Sequence, residues 1–168
     1  MATGGDSLRA MASAKHLLVD GPNILHAWPE LRALLRRDRD AARALLVRRL
    51  TAIHDTEGVR VTVVFDGRGP ELVIERPTRQ ESLTVLFTPS KLTADDVIEQ
   101  LIARATDPTA CEVATADQAE RRTAEAMGAS VLTPEDLAAW CARADQRVST
   151  QAAGLTRSVA QAWAKGKG

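Results

Sequence analysis

Short unbroken apolar runs alternate along this chain with longer stretches whose apolar residues recur every three or four positions. The first run, His16-Leu17-Leu18-Val19, stops on Asp20-Gly21-Pro22-Asn23. A Leu/Val run bounded by turn-forming residues predicts a strand buried on both faces of a parallel sheet. The same figure returns at Val59-Arg60-Val61-Thr62-Val63-Val64-Phe65, dense in β-branched residues and ending on Asp66-Gly67. Leu83–Phe87, Cys111–Ala114 and Ser130–Leu132 supply further strands.

Helical patterns fill the intervals. Ile24 to Leu35 predicts a short helical segment interrupted near Pro29. Asp38 to Thr56 carries Ala41, Ala44, Leu45, Val47, Leu50 and Ile53 near helical spacing, with Gly58 as the stop. Thr93, Asp117 and Thr133-Pro134 each open another helix, the last running through Leu137 and Trp140. Strand alternating with helix predicts a three-layer α/β domain around a mostly parallel sheet. Its expected span is 15–145, preceded by a disordered leader at 1–14. The Ala-rich stretch 146–168, with Leu155, Val159 and Trp163, is expected to be a helical extension or tail. Leu72-Val73-Ile74 could pair back after the Asp66-Gly67 turn, but Glu75 to Ser82 is long and charged for a tight hairpin. Gly67 to Ser82 is therefore expected to be a mobile loop.

Composition narrows the functional classes. Hydrophobic residues make up 45% and charged residues 26%, as in ordinary globular domains. Aromatics are 3%, with no Tyr, which argues against recognition of single strands chiefly by base stacking. Lys+Arg and Asp+Glu are both 22, so no global basic footprint marks a nucleic-acid binder, although a local patch or bound cations could still meet phosphates. Cys111 and Cys141 form no C-x-x-C motif, and His16, His26 and His54 lack zinc-like spacing. Without an apolar signal segment or a membrane-length run, a cytoplasmic location is expected.

The acids change the picture. In a parallel sheet, Asp20, Asp66, Asp117 and the helix start at Asp95 all fall at the carboxyl edge of the strands, where open α/β folds bind ligands. Helix capping is a competing explanation for some of them. Thr93 with Asp96 resembles a capping box, and Asp117 with Glu120 fits a helix start. Carboxylates converging in one crevice repel one another unless a divalent cation lies among them, and oxygen-only ligands favour magnesium or manganese. A metal so held can activate water against a phosphodiester. A P-loop and a dinucleotide fingerprint are both absent.

Leu18-Val19-Asp20-Gly21-Pro22-Asn23, Val63-Val64-Phe65-Asp66-Gly67, Thr93-Ala94-Asp95 with Ile98-Glu99, and Ala114-Thr115-Ala116-Asp117 occur in the order of the NYN motifs. The chain thus resembles NYN domains of the PIN-like ribonuclease superfamily, especially the YacP-like branch, from about His16 to Trp140. Pro22 and Ala116 depart from the branch's usual Tyr and Ser. The resemblance implies metal-binding acids at Asp20, Asp66, Asp95 and Asp117, with support from Asn23, Asp96 and Thr115. It also implies a magnesium- or manganese-dependent endoribonuclease acting on single-stranded RNA, or else a non-cleaving RNA- or ribosome-binding module. Arg68, Arg76, Arg79 and Lys91, in loops beside the crevice, are the expected RNA contacts. Arg36, Arg37, Arg39, Arg43, Arg48 and Arg49 are expected on a solvated helix face.

Overall fold

The computed structural model describes residues 15–166, so the expectation for 1–14 lies outside the described residues. The strands are β1 (His16–Asp20), β2 (Arg60–Asp66), β3 (Val73–Glu75), β4 (Leu83–Thr88), β5 (Cys111–Ala114) and β6 (Ser130–Leu132). The helices are α1 (Gly21–Ala27), α2 (Pro29–Leu35), α3 (Arg39–Glu57), α4 (Ala94–Arg104), α5 (Gln118–Ala126) and α6 (Pro134–Lys165). One six-stranded sheet results, in the order β3-β4-β2-β1-β5-β6. Every pairing is parallel except β3 with β4.

Side-chain alternation explains the layers. Leu17 and Val19 of β1 face the cluster that holds Leu46, Leu50 and Ile53 of α3 and Leu137 of α6. Leu18 faces the opposite cluster, with Val97, Ile98 and Ile102 of α4 and Ala124 of α5. Both faces are dry, which is why the strand needed no polar positions. Removing a fully buried side chain such as Leu50 by substitution to Ala would cost about 2–5 kcal/mol. Pro29 opens α2, and Trp28 at the break donates from Nε1 to the Pro134 carbonyl at 2.8 Å, tying this corner to the start of α6.

One feature differs from the sequence expectation. Gly67 to Ser82 is not all loop, because Val73–Glu75 forms an edge strand, paired not with β2 as a hairpin would be but with the later β4, Val73 opposite Phe87. Val73 and Ile74 of this strand are exposed, as is Leu72 just before it. The helix from Pro134 continues through residue 146 without a break, its later turns exposed.

Close backbone approach shapes the sheet's carboxyl edge at two glycines. A Cβ on Gly21 would lie 2.3 Å from Phe65 Cδ1 and 2.7 Å from the Val64 oxygen. One on Gly67 would lie 2.1 Å from the Thr88 oxygen. Both glycines let the segments after β1 and β2 press onto neighbouring strands.

Candidate active site

Asp20 ends β1 and is buried, at 1% exposure. Its carboxylate also caps α1: Oδ1 accepts the Asn23 backbone N–H at 3.2 Å, and Oδ2 accepts Asn23 Nδ2 at 2.7 Å. Asn23 thereby fixes the rotamer of the acid three residues before it. Asp95, at the second position of α4, comes in from the other side of the crevice. Its orientation follows from how α4 begins. Thr93 and Asp96 form a reciprocal capping box, with Asp96 exposed and turned back on the helix start. Asp66 Oδ1 then accepts the Ala94 N–H at 3.1 Å.

The third acid is Glu120, in the first turn of α5 and 4% exposed. Among the described residues, Asp20, Asp95 and Glu120 form a group whose carboxylate oxygens all lie within 4.8 Å of one another. Thr115 Oγ1, just past β5, is 2.5 Å from Glu120 Oε2 and 3.5 Å from Asp20 Oδ2. Asp117 caps α5, its Oδ1 accepting from Ala119 N at 2.8 Å and Glu120 N at 3.2 Å.

Of the acids expected as ligands, Asp20 and Asp95 stand in the three-carboxylate group, while Asp66 and Asp117 stand outside it and hold helix starts. Asp66 fastens α4, the helix that carries Asp95, and Asp117 fastens α5, the helix that carries Glu120. Asp96 serves its own helix cap. Glu120 is the member that sequence reasoning missed. Its spacing after Asp117 suggested a capping partner, but its side chain turns inward to Thr115. The available signal was its place in a first helical turn after a strand end, like that of Asp95.

Electrostatics mark the same three residues. Burial, then the close approach and charge of the Asp20 carboxylate, push the Glu120 carboxyl well above the usual carboxylate range. Burial, then Asp20 and more weakly Asp117, raise Asp95. Glu120 Oε1 is buried with no hydrogen-bond partner. A buried, orphaned acceptor amid carboxylates fits a bound cation, and an all-oxygen donor set suits a hard divalent ion.

The expected RNA contacts separate in space. Arg68 lines hollows beside Asp66, whereas Arg76, Arg79 and Lys91 are exposed and belong to neither of the hollows that meet there. The α3 arginines do not behave as one solvated face. Arg39 and Arg43 turn toward Asp66, because the first turns of α3 lie beside the crevice. Arg49 instead pairs with Glu30 and covers the Trp28 ring. No helix among the described residues is long and apolar enough to cross a membrane.

The chain and its fold have counterparts among known proteins. A YacP-like NYN domain profile matches residues 17–165. A Bacillus subtilis (strain 168) protein described as uncharacterized protein YacP is 36% identical over 108 residues, 62% of this chain and 62% of that protein. The chain thus aligns with somewhat under two thirds of that relative's length. The crystal structure of a point mutant of Rae1 (YacP) from Bacillus subtilis superposes with a TM-score of 0.72 at 31% identity, covering 87% of this chain and 86% of that one. A second Rae1 (YacP) crystal structure from the same organism gives 0.70 at 29% identity, covering 86% and 83%. The chain belongs to the YacP-like NYN domain family.

Proposed function

We propose that this protein is a divalent-metal-dependent ribonuclease that hydrolyses internal phosphodiester bonds of single-stranded RNA. The observation that carries the reading is the buried convergence of Asp20, Asp95 and Glu120 with Glu120 Oε1 left without a partner. Three carboxylates this close are repulsive in the absence of a counter-charge, so their assembly has a purpose other than stability. The family supports a nucleic-acid substrate, and Arg68 near the crevice supports recognition of phosphate.

Asp20, Asp95 and Glu120 would hold a magnesium or manganese ion, which when bound supplies positive charge to the reacting phosphate and eases loss of a proton from water. The chain's own groups supply the positioning. Asn23 locks the Asp20 carboxylate, and Thr115 orients Glu120. Asp66 and Asp117 fix the helix starts that carry Asp95 and Glu120. In the hydrolysis a bond forms between the water oxygen and phosphorus, and the bond from phosphorus to the neighbouring nucleoside oxygen breaks.

The test is incubation of purified protein with end-labelled unstructured RNA in manganese or magnesium, with and without chelator, beside Glu120→Gln. Internal cleavage that requires the metal and disappears in the variant supports the reading. RNA that is bound but left intact at saturating manganese would overturn it in favour of a non-cleaving module.

A further inference from the structure

Two hollows meet at Asp66, and their charges differ. One, of about 690 Å³, opens toward β3, where Asp40, Glu71 and Glu75 offset Arg39, Arg43 and Arg68. The other, of about 500 Å³, lies between α1, the start of α3 and the end of β2. Arg36, Arg39, Arg43, Arg68 and His26 line it against one carboxylate, Asp66. Pro22, two positions beyond Asp20 in the chain, is part of the same wall.

Arg43 is its fixed point. The guanidinium carbon stands 5.4 Å from the centroids of both the Phe65 and the Phe87 ring. One Nη donates to the Asp66 backbone oxygen at 3.3 Å, while the other is 3.7 Å from Asp40. Its Nε is buried with no acceptor. Burial first, then the Arg39 charge, lower its proton affinity; Asp40 and Asp66 act in the opposite direction and Arg68 adds to the lowering. Such a concentration of positive charge, walled by Leu35 and Phe65, is complementary to a phosphate with an attached sugar or base.

We propose that this hollow is a substrate subsite, in which Arg39, Arg43 and Arg68 grip a backbone phosphate of the RNA strand flanking the bond that is cut. The proposal rests on the RNA reading above. It keeps Arg68 but replaces the exposed loop cations Arg76, Arg79 and Lys91 with Arg39 and Arg43 of the first turns of α3. The volume suits one nucleotide unit rather than a duplex, which would need a broad surface.

The two ideas are separable by measuring binding without cleavage. Anisotropy of a short labelled oligouridylate is titrated in chelator across a range of salt, with Arg39→Gln/Arg68→Gln compared with Arg76→Gln/Arg79→Gln. The two double variants lose the same charge from exposed side chains. The first should weaken binding by about tenfold or more and flatten the log-affinity against log-salt slope by about 1.4, since each single-strand phosphate contact contributes roughly 0.7. The second should change affinity by less than about twofold. Equal losses in the two variants, no loss in the first, or no binding of RNA by the wild type would overturn the subsite. Absence of cleavage with this binding pattern intact would overturn the nuclease and leave the subsite standing.

Discussion

Thr115 Oγ1 sits 2.5 Å from Glu120 Oε2 and 3.5 Å from Asp20 Oδ2, so one buried hydroxyl joins carboxylates from two separate elements. A hydroxyl has a single proton to donate, and the shorter distance assigns it to Glu120. It also accepts the Asp117 N–H at 3.1 Å, which fixes its direction. Thr115→Val keeps the shape and removes the hydroxyl, so manganese affinity measured by calorimetry should fall by about 10- to 100-fold. Thr115→Ser should recover most of it; unchanged affinity in Thr115→Val, or a loss confined to Thr115→Ser, would make the packing of the methyl group the relevant feature.

Glu120→Gln tests the residue least visible beforehand. The amide preserves size but removes a charge from a buried cluster, so the melting temperature in chelator should hold or rise. The increase in melting temperature that manganese gives the wild type should vanish, and RNA cleavage should drop by at least about 100-fold. Asp136→Asn, in the ordinary first turn of α6, serves as the control and should leave both readouts unchanged.

A graded series follows from the geometry of the other acids. Asp20→Asn and Asp95→Asn should each behave like Glu120→Gln. Asp117→Asn and Asp66→Asn retain an oxygen for the helix N–H groups they now cap, because Asn caps about as well as Asp. Cleavage should fall by about tenfold in these two, the scale expected when a supporting partner of a ligand is altered. Cleavage rates across the five variants under saturating manganese check the ranking. Collapse in Asp66→Asn to the level of Asp20→Asn would place Asp66 among the ligands.

The raised Glu120 and Asp95 carboxyls give stability a definite slope with pH in the metal-free protein. A carboxyl whose folded pKa lies above its unfolded value binds its proton more tightly in the native state. Its favourable contribution is complete below the ordinary carboxylate range and is lost as pH rises through the folded value. In chelator, the melting temperature should therefore decline from about pH 5 to pH 8, less steeply in Glu120→Gln. Saturating manganese should flatten the wild-type curve. A wild-type slope no steeper than the variant's would contradict the burial argument.

Gly21→Ala sets two effects against each other. Helix propensity favours Ala by about 1 kcal/mol, but Gly21 begins a helix where its Cβ would meet the Phe65 ring and the rigid Val64 carbonyl. Overpacking of this kind costs about 1–3 kcal/mol, and a backbone atom cannot swing aside as a long side chain can. Net destabilisation by urea unfolding is expected, with the metal site weakened through displacement of Asp20.

The parts of this molecule legible in its sequence were those set by local pattern. Leu17 to Val19 read as a doubly buried strand, and the position of Asp20 at its carboxyl end followed. Asp95 stood out because Thr93 and Asp96 already accounted for the cap. What a strand end does not disclose is which way its carboxylate turns, and Asp66 turns to the Ala94 N–H. Glu120 was hidden because two local explanations fit the same spacing, and the choice depends on Thr115 across the crevice. β3 was hidden for a similar reason: its partner comes later in the chain, so no short-range turn signal announces the pairing. Arg39 and Arg43 looked like a polar helix face because periodicity cannot say what the helix lies beside.

The three acids are delivered by segments far apart along the chain, at the end of β1 and at the starts of α4 and α5. This gives the site a place in the order of folding. A chain lengthening from its N-terminus brings Asp20 early and Asp95 later, and neither makes the trio until β5 has docked beside β1 and drawn α5 into position. Contacts of such long sequence separation form late. A partly synthesised or truncated chain therefore lacks the complete acidic trio, which comes together only once most of the sheet is in place.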